Sequence, residues 1–325
     1  MQKIYHFPLY ILIIGINLFA CGESSDLENA HAQRFSPQSQ AVSLLGDTLY
    51  SPIRSKEAQE KLEKNLEKAR KQYQSDPNQE MNIIWYGRRV AYLSRYEEAI
   101  DIYTQGLKKF PNSYKLLRHR GHRYISVRKF DKAIEDLSKA ASLAPESPLE
   151  TEPDGIPNKM NQPLSSTQFN IWYHLGLAYY LKHDFEKAAE AYQTCMDYSI
   201  NDDLLCATVD WYYMTLRRAG KHDDASVLLA LIHQDMEIIE NDSYFKRLQM
   251  YQGHLDADEV LETGEKQKDK ELAMATQGYG VGNWFLANGD TTQAKSIFQT
   301  VVDGIEWAAF GYIAAESDLV YLKDQ

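Results

Sequence analysis

Cysteine is scarce in this 325-residue chain, which has only Cys21, Cys195 and Cys206. The last two do not form a CxxC spacing, and no histidine cluster lies beside them in the sequence. We therefore predict no metal site, because a zinc site needs several such ligands at close spacing. Cys195 and Cys206 can pair in an oxidising compartment, but two compact buried residues on neighbouring helices are the favoured interpretation.

Enzyme motifs and excess positive charge are lacking as well. The chain has no phosphate-binding P-loop, no GxSxG nucleophile motif and no HExxH metalloprotease motif. We therefore predict a protein that is not an enzyme and needs no cofactor. The net charge of −11 excludes nucleic acid as the main partner, because phosphate contacts need a basic surface.

Long apolar runs are confined to the N-terminus. Lys3 precedes an apolar run over residues 7–19, which is too short for a membrane-spanning helix but suits the core of a signal peptide. The run ends in LFACG, residues 18–22, which resembles a bacterial lipobox. The resemblance implies a signal peptide over residues 1–20, lipidation of Cys21, and a location at the outer membrane of the bacterial cell envelope. An ordinary secretory signal with a chance cysteine is the alternative.

The segment after the lipobox has little hydrophobic periodicity. Residues 21–55 are rich in serine, glutamine, asparagine and aspartate. This composition is typical of a flexible tether, with some local order near residues 42–49.

A spacing of small residues recurs along the rest of the chain. Glycine precedes alanine by twelve residues at Gly87 and Ala99, again at Gly121 and Ala133, and again at Gly176 and Ala188. The first two alanines of this series lie 34 residues apart. Each unit reads as two amphipathic helices joined by a tight turn, with small residues facing large ones across the pair. A helix–turn–helix unit of this period predicts a repeat array.

These units resemble the tetratricopeptide repeat. The resemblance implies an all-α, right-handed solenoid of about five to six units over residues 56–325, in which each unit packs on its neighbours. The repeats are expected near residues 82–114, 115–147, 170–203, 207–240 and 276–309, with a degenerate pair over 241–270 and a closing helix over 307–322. The residues expected to pack the repeats are Gly87, Ala99, Pro111, Gly121, Tyr124, Ala133, Pro145, Trp172, Gly176, Tyr179, Ala188, Ala225, Gly282 and Ala294.

The resemblance also implies that the first helix of each pair lines a concave groove. We expect a basic and aromatic strip there that binds a protein or peptide partner, one that carries carboxylates. The main contributors are expected to be residues that can be replaced without unfolding the protein: Arg88, Arg118, His122, Tyr173 and Trp211. The lysine and asparagine clamp that grips chaperone tails is not reproduced, since Ile84 and Arg88 occupy its first pair of positions. The groove candidates are Arg88, Tyr92, Arg118, His119, His122, Asn170, Tyr173, His174, Tyr180, Trp211 and Arg217.

An insertion of 21 residues beyond the repeat period separates the second repeat from the third. It lies near residues 148–168 and contains four prolines and an Asp154-Gly155 turn signal. We predict an ordered loop that leans into or over the groove next to Trp172, although a flexible insertion remains open. Its apolar residues Ile156, Met160 and Leu164 can dock onto the array. An envelope enzyme or a small-ligand-binding protein that uses the groove and this loop is the alternative function.

Overall fold

The computed structural model describes residues 39–155, 157–262 and 271–323. The predicted signal peptide, Cys21, most of the tether and Ile156 lie outside the described residues. Within the described part, none of the helices is both long enough and apolar enough to cross a membrane.

The described chain is an all-α repeat solenoid with one short hairpin at its start. The strands are β1 Ser39–Val42 and β2 Thr48–Tyr50. The helices are α1 Lys56–Ser75, α2 Glu80–Tyr92, α3 Tyr96–Lys109, α4 Tyr114–Ser126, α5 Phe130–Leu143, α6 Thr167–Tyr180, α7 Phe185–Met196, α8 Asp202–Arg218, α9 His222–Leu229, α10 Asp242–Tyr251, α11 Ala257–Leu261, α12 Tyr279–Ala287, α13 Thr291–Val302 and α14 Phe310–Tyr321. A π-helical turn, Met274–Gly278, leads into α12.

Glycine and alanine allow the two helices of a unit to approach closely. A methyl group added at Gly176 would lie 2.8 Å from the ring of Tyr192, and one added at Gly87 would lie 2.3 Å from the ring of Tyr103. Ala188 is fully buried in the same interface as Gly176. The small positions therefore hold the large aromatic residues of the partner helix, as ridge-into-groove packing requires.

The turn inside each unit has the same backbone hydrogen bond in every unit, although the residues around it differ. A backbone N–H after the turn donates to a carbonyl five residues earlier, at 2.8–3.3 Å, which is the long hydrogen bond of a Schellman helix end. The donor and acceptor residues are Arg95 and Val90, Lys129 and Tyr124, Asp184 and Tyr179, Lys221 and Leu216, His254 and Gln249, and Asp290 and Phe285. These turns mark six units in the described part, including the degenerate pair over 241–270.

The residue at the tip of each turn has a positive φ. Glycine occupies this position in the last three units, where the left-handed conformation costs no steric clash. Ser94, Arg128 and His183 occupy it in the first three, with φ of about 60°. Each of these side chains binds another element: Ser94 accepts from Arg54, while the other two contact α14. Tertiary contacts therefore accompany a conformation that glycine would adopt more easily.

Residues 39–55, which the sequence assigned to the tether, are ordered against the array. Leu49 is buried, and the side-chain oxygen of Gln40 accepts from the backbone N–H of Tyr96 at 3.1 Å. The indole of Trp307 donates to the carbonyl of Tyr50 at 2.7 Å. The local order expected near residues 42–49 therefore extends over residues 39–55, where a flexible tether was otherwise expected, because the hairpin gains partners from distant parts of the chain.

The final helix is not an outer cap. Its residues 311–319 are all buried, so the helix is enclosed on every face. Glu316 pairs with Arg128 at 2.8 Å, and Asp318 pairs with Arg218 at 2.8 Å. The helix α14 thus runs across the turns of several units, and its polar residues satisfy their arginines.

The recess beneath the insertion

Most of the expected groove residues are buried rather than facing solvent. Tyr92, His122 and Arg217 are partly exposed. The others are exposed by less than a tenth: Arg88, Arg118, His119, Asn170, Tyr173, His174, Tyr180 and Trp211. The expectation of a solvent-facing strip is wrong for these eight residues, because helices from later units and the insertion cover this face. Four of the five residues expected to lie off the packing face are therefore buried: Arg88, Arg118, Tyr173 and Trp211.

Three aromatic members of the strip, Tyr173, Tyr180 and Trp211, belong to the core. Trp211 packs edge-on to Tyr180 at a centroid distance of 5.2 Å and stacks on Tyr279 at 5.7 Å. The hydroxyl groups of Tyr180 and Tyr279 lie 2.6 Å apart. Tyr173 is packed beside Phe310 of α14, at 6.4 Å between the ring centroids. These residues join the third unit to the sixth and to the closing helix, so they cannot contact a partner as the array stands.

Buried arginines in this filled part each have their own carboxylate. Arg247 lies 2.6 Å from Asp210, and both side chains are fully buried. Burial alone would lower the pKa of Arg247, but Asp210, Tyr251 and Tyr244 together outweigh the effect of burial, and the pKa is raised. The pairs Arg218–Asp318 and Arg128–Glu316 are buried in the same way. Charge is therefore balanced pair by pair, as burial of ions requires.

The insertion is ordered and covers the first two units. Glu152 donates its backbone N–H to the carbonyl of Ser165 at 2.9 Å, and Thr167 donates to the carbonyl of Glu150 at 2.8 Å. Gln168 holds the base of the loop through the carbonyls of Pro145 and Pro148. These contacts agree with the ordered loop expected from the sequence rather than with a flexible one.

The position of the loop differs from the expectation in detail. It packs on α2 and α4, whereas Trp172 lines a separate depression together with residues such as Ser138 and Glu190. Met160 is exposed and Leu164 is half-buried, so the docking expected of Met160 does not occur.

Three arginines bind the tip of the insertion. Arg88 Nη1 donates to the carbonyl of Pro153 at 2.8 Å, and Arg89 Nη1 donates to the carbonyl of Gly155 at 2.9 Å. Arg118 Nη2 lies 3.1 Å from Glu152 Oε1, with both side chains about nine-tenths buried. The three arginines therefore bind two backbone carbonyls and one carboxylate of the insertion.

Two cavities adjoin these contacts. The smaller has a volume of about 110 Å³, and the larger, about 230 Å³, has Met81, Ile84 and Lys115 among its walls. Both share Arg88, His119 and Glu152. The smaller cavity, which we call the arginine cavity, is lined by Arg88, Ala91, Tyr92, Tyr103, Arg118, His119, His122, Arg123 and Glu152.

The histidines beside the arginine cavity are held neutral. Burial and then the charge of Arg118 lower the pKa of His119 and of His174 well below the usual value. Burial and then Arg123 do the same to the pKa of His122. In the described part of the chain, no group of three or more histidine, cysteine, aspartate or glutamate side chains is arranged to hold a metal ion. The arginines therefore supply the positive charge of this cavity.

The two cysteines do not form a disulfide. Both Cys195 and Cys206 are free and buried. The Cys195 Sγ lies 3.5 Å from Thr208 Oγ1. This arrangement matches the favoured interpretation of two compact core residues.

Comparison with known proteins bears on the repeat. A family model for the tetratricopeptide repeat matches residues 169–202, which span most of α6 and all of α7. No curated protein matches the chain. Three solved structures are similar, the first being PilW, a type IV pilus biogenesis factor, with 13% identity over 93% of this chain and 100% of that one and a TM-score of 0.45. A tetratricopeptide repeat protein from Parabacteroides merdae has 14% identity over 79% of this chain and 93% of that one, with a TM-score of 0.46. YrrB, described as having an unusual peptide-binding site, has 13% identity over 79% of this chain and 98% of that one, with a TM-score of 0.41. All three TM-scores are below 0.5, so none of these likenesses carries an argument about this chain.

Proposed function

We propose that this chain, which is built around a tetratricopeptide repeat at residues 169–202, is a non-catalytic scaffold that binds a protein or peptide partner. The supporting observation is the recess beneath the insertion, by which we mean the surface formed by Arg88, Arg89 and Arg118. These arginines bind an acidic segment of the chain itself. Guanidinium groups that bind a carboxylate and carbonyls within the chain have the same chemistry available for a partner. The partner segment carries carboxylates and replaces the tip of the insertion.

The partner must compete with the insertion for the same three arginines. An intramolecular segment is present at a high effective concentration, so a separate peptide binds weakly until the contact of the insertion is loosened. Glu152→Gln removes the carboxylate that Arg118 binds while preserving side-chain shape. This variant is therefore the receptor in which the recess is open to a competing carboxylate.

A peptide with the sequence of residues 150–155, ETEPDG, is the probe. We expect saturable binding of the labelled peptide to the Glu152→Gln chain, measured by fluorescence polarisation, and weaker binding to the wild type. A control peptide, QTQPNG, lacks the carboxylates and should bind poorly. Affinity for the acidic peptide should fall as salt rises, because screening weakens charge pairing. If both peptides bind the Glu152→Gln chain equally, or if neither binds it, the proposal that the recess recognises carboxylates is refuted.

We propose further that the scaffold works in the bacterial cell envelope, attached to the outer membrane by lipid at Cys21. The support is the apolar run over residues 7–19 followed by LFACG. Metabolic labelling with palmitate should mark the wild-type protein and not Cys21→Ala, with Cys195→Ala as the matched control that keeps the label. Absence of label from both the wild type and Cys21→Ala would exclude the anchor without touching the peptide-binding proposal.

A further inference from the structure

We propose that the arginine cavity binds a compact, doubly charged oxyanion with the chemistry of a phosphate group. This site goes beyond the proposed function, because it lies under the ordered insertion and needs no partner protein. The cavity is bounded by α2, α4 and the tip of the insertion.

The lining of the cavity carries more positive than negative charge. Arg88, Arg118 and Arg123 line the cavity, and Glu152 is the carboxylate that lines it with them. Elsewhere in the described interior, Arg128, Arg218 and Arg247 each have a carboxylate of their own. Three guanidinium groups line the cavity against one lining carboxylate. Arg123 is partly exposed and the nearby Asp154 interacts with Arg88, so the imbalance is smaller than this count, but an excess of positive charge remains and is costly where it is buried. A bound dianion removes that imbalance.

The donors are placed to receive an anion. Arg118 is 7% exposed, and its Nε is a buried donor with no hydrogen-bond partner. The guanidinium of Arg123 has no hydrogen-bond or ion-pair partner among the described residues; it lies over the ring of Tyr96, 5.2 Å from the centroid. Buried N–H groups are nearly always hydrogen-bonded, so an unpaired guanidinium donor at a cavity wall indicates a ligand oxygen.

Size selects the class of anion. A volume of 110 Å³ equals that of roughly four water molecules in the liquid, so a group of about five heavy atoms fits and a peptide segment does not. A phosphate group matches this size and the excess of positive charge in the lining. Free phosphate and a phosphate ester share that chemistry, and the adjoining 230 Å³ cavity offers room for the remainder of an ester.

Inorganic phosphate titrated into the full-length protein tests the site. Calorimetry at constant ionic strength should show saturable binding of phosphate at one site, with acetate much weaker. Arg123→Gln should weaken phosphate binding on the order of tenfold, because one charged hydrogen bond is lost. Arg95→Gln is the matched control: it removes a nearby arginine that pairs with Glu98 and does not line the cavity, so phosphate affinity should stay unchanged.

A second variant has the opposite predicted sign. Glu152→Gln removes the carboxylate from the cavity lining, so phosphate should bind more tightly. A parallel titration with glycerol phosphate distinguishes the sources: tighter binding of the ester indicates a ligand that extends into the larger cavity, and equal or weaker binding indicates the free ion. Phosphate binding no stronger than acetate binding, or an affinity unchanged in both Arg123→Gln and Glu152→Gln, would overturn the proposal. Neither result depends on whether the acidic peptide binds.

Discussion

The inner face of this array is hollow beneath the insertion and solid beyond it. In the first two units, Arg88, Arg118 and Arg123 surround a cavity with one carboxylate. In the later units, the same face is filled by large side chains such as Trp211 and Tyr279, and each buried arginine has its own acid. Both regions are built from the same helix pairs and the same turns.

The difference shows that the repeat does not decide what its inner face does. Where α14 and α12 come close, the face becomes core and its polar groups are matched within the chain. Where only the insertion covers the face, a guanidinium N–H of Arg118 remains without a hydrogen-bond partner and the arginine cavity remains open. Function is therefore expected in the hollow region and stability in the solid one, and three measurements can break or sharpen that distinction.

The largest effect is expected from Asp210→Ala in the solid region. Asp210 and Arg247 are both fully buried, so the substitution leaves a buried guanidinium without its counter-charge. We expect the free energy of unfolding, measured by denaturant titration, to fall by about 3 kcal/mol or more. The control is Lys246→Gln, on the helix of Arg247, which breaks an exposed pair with Asp242. It should lower the free energy of unfolding by less than about 1 kcal/mol. Equal losses in the two variants would show that the solid region is not held by its buried pair.

An intermediate effect is expected from acid at the boundary between the two regions. His174 is buried against His122 and Phe310, and its pKa is lowered well below the usual value by burial and by Arg118. A lowered folded-state pKa means that this histidine's contribution is present above the unfolded pKa, near 6.5, and is lost as pH falls towards the folded pKa. Below pH 6.5, His174 is protonated in the unfolded chain while it stays neutral in the folded chain, which favours unfolding.

Comparing pH 7.5 with pH 5.5 measures this contribution. The loss of unfolding free energy on acidification should be smaller in His174→Gln than in the wild type, by about 1 kcal/mol. The exposed His233→Gln is the matched control for replacement of an imidazole. A pH dependence identical in His174→Gln and the wild type would mean that this histidine is not held neutral at the boundary.

The smallest effect is expected at the outer edge, where the two regions are alike. Lys129 Nζ lies 2.6 Å from Glu97 Oε1, and both side chains are about half exposed. Similar pairs join Lys182 to Asp131 and Lys221 to Glu186 in the following units. Lys129→Gln should lower the free energy of unfolding by less than about 1 kcal/mol, and the loss should shrink further at high salt. A loss comparable to that of Asp210→Ala would contradict the view that stability resides in the interior.

Features that depend on neighbours in the sequence were predictable. The pairing of Gly176 with Tyr192 follows from a twelve-residue spacing and from helix geometry, and the position of the turn follows from the break between two apolar faces. Such contacts lie within one unit, so a single 34-residue period carries the information for them. The degenerate pair was recognisable for the same reason, and its turn between Gln249 and His254 has the same hydrogen bond as the others.

Features that depend on distant parts of the chain were not predictable. The sequence places Tyr173 and Trp211 on the first helices of their units, but their burial depends on α14 and α12, which arrive from more than sixty residues away. Arg128 and Glu316 are separated by 188 positions, and no periodicity relates them. The sequence by itself determined the repeat, its small and large packing positions and the presence of an acidic, proline-rich insertion. Only the tertiary structure decided which stretch of the inner face stays hollow, because the direction of a side chain is set by its own helix, while what lies opposite is set by how the whole array closes on itself.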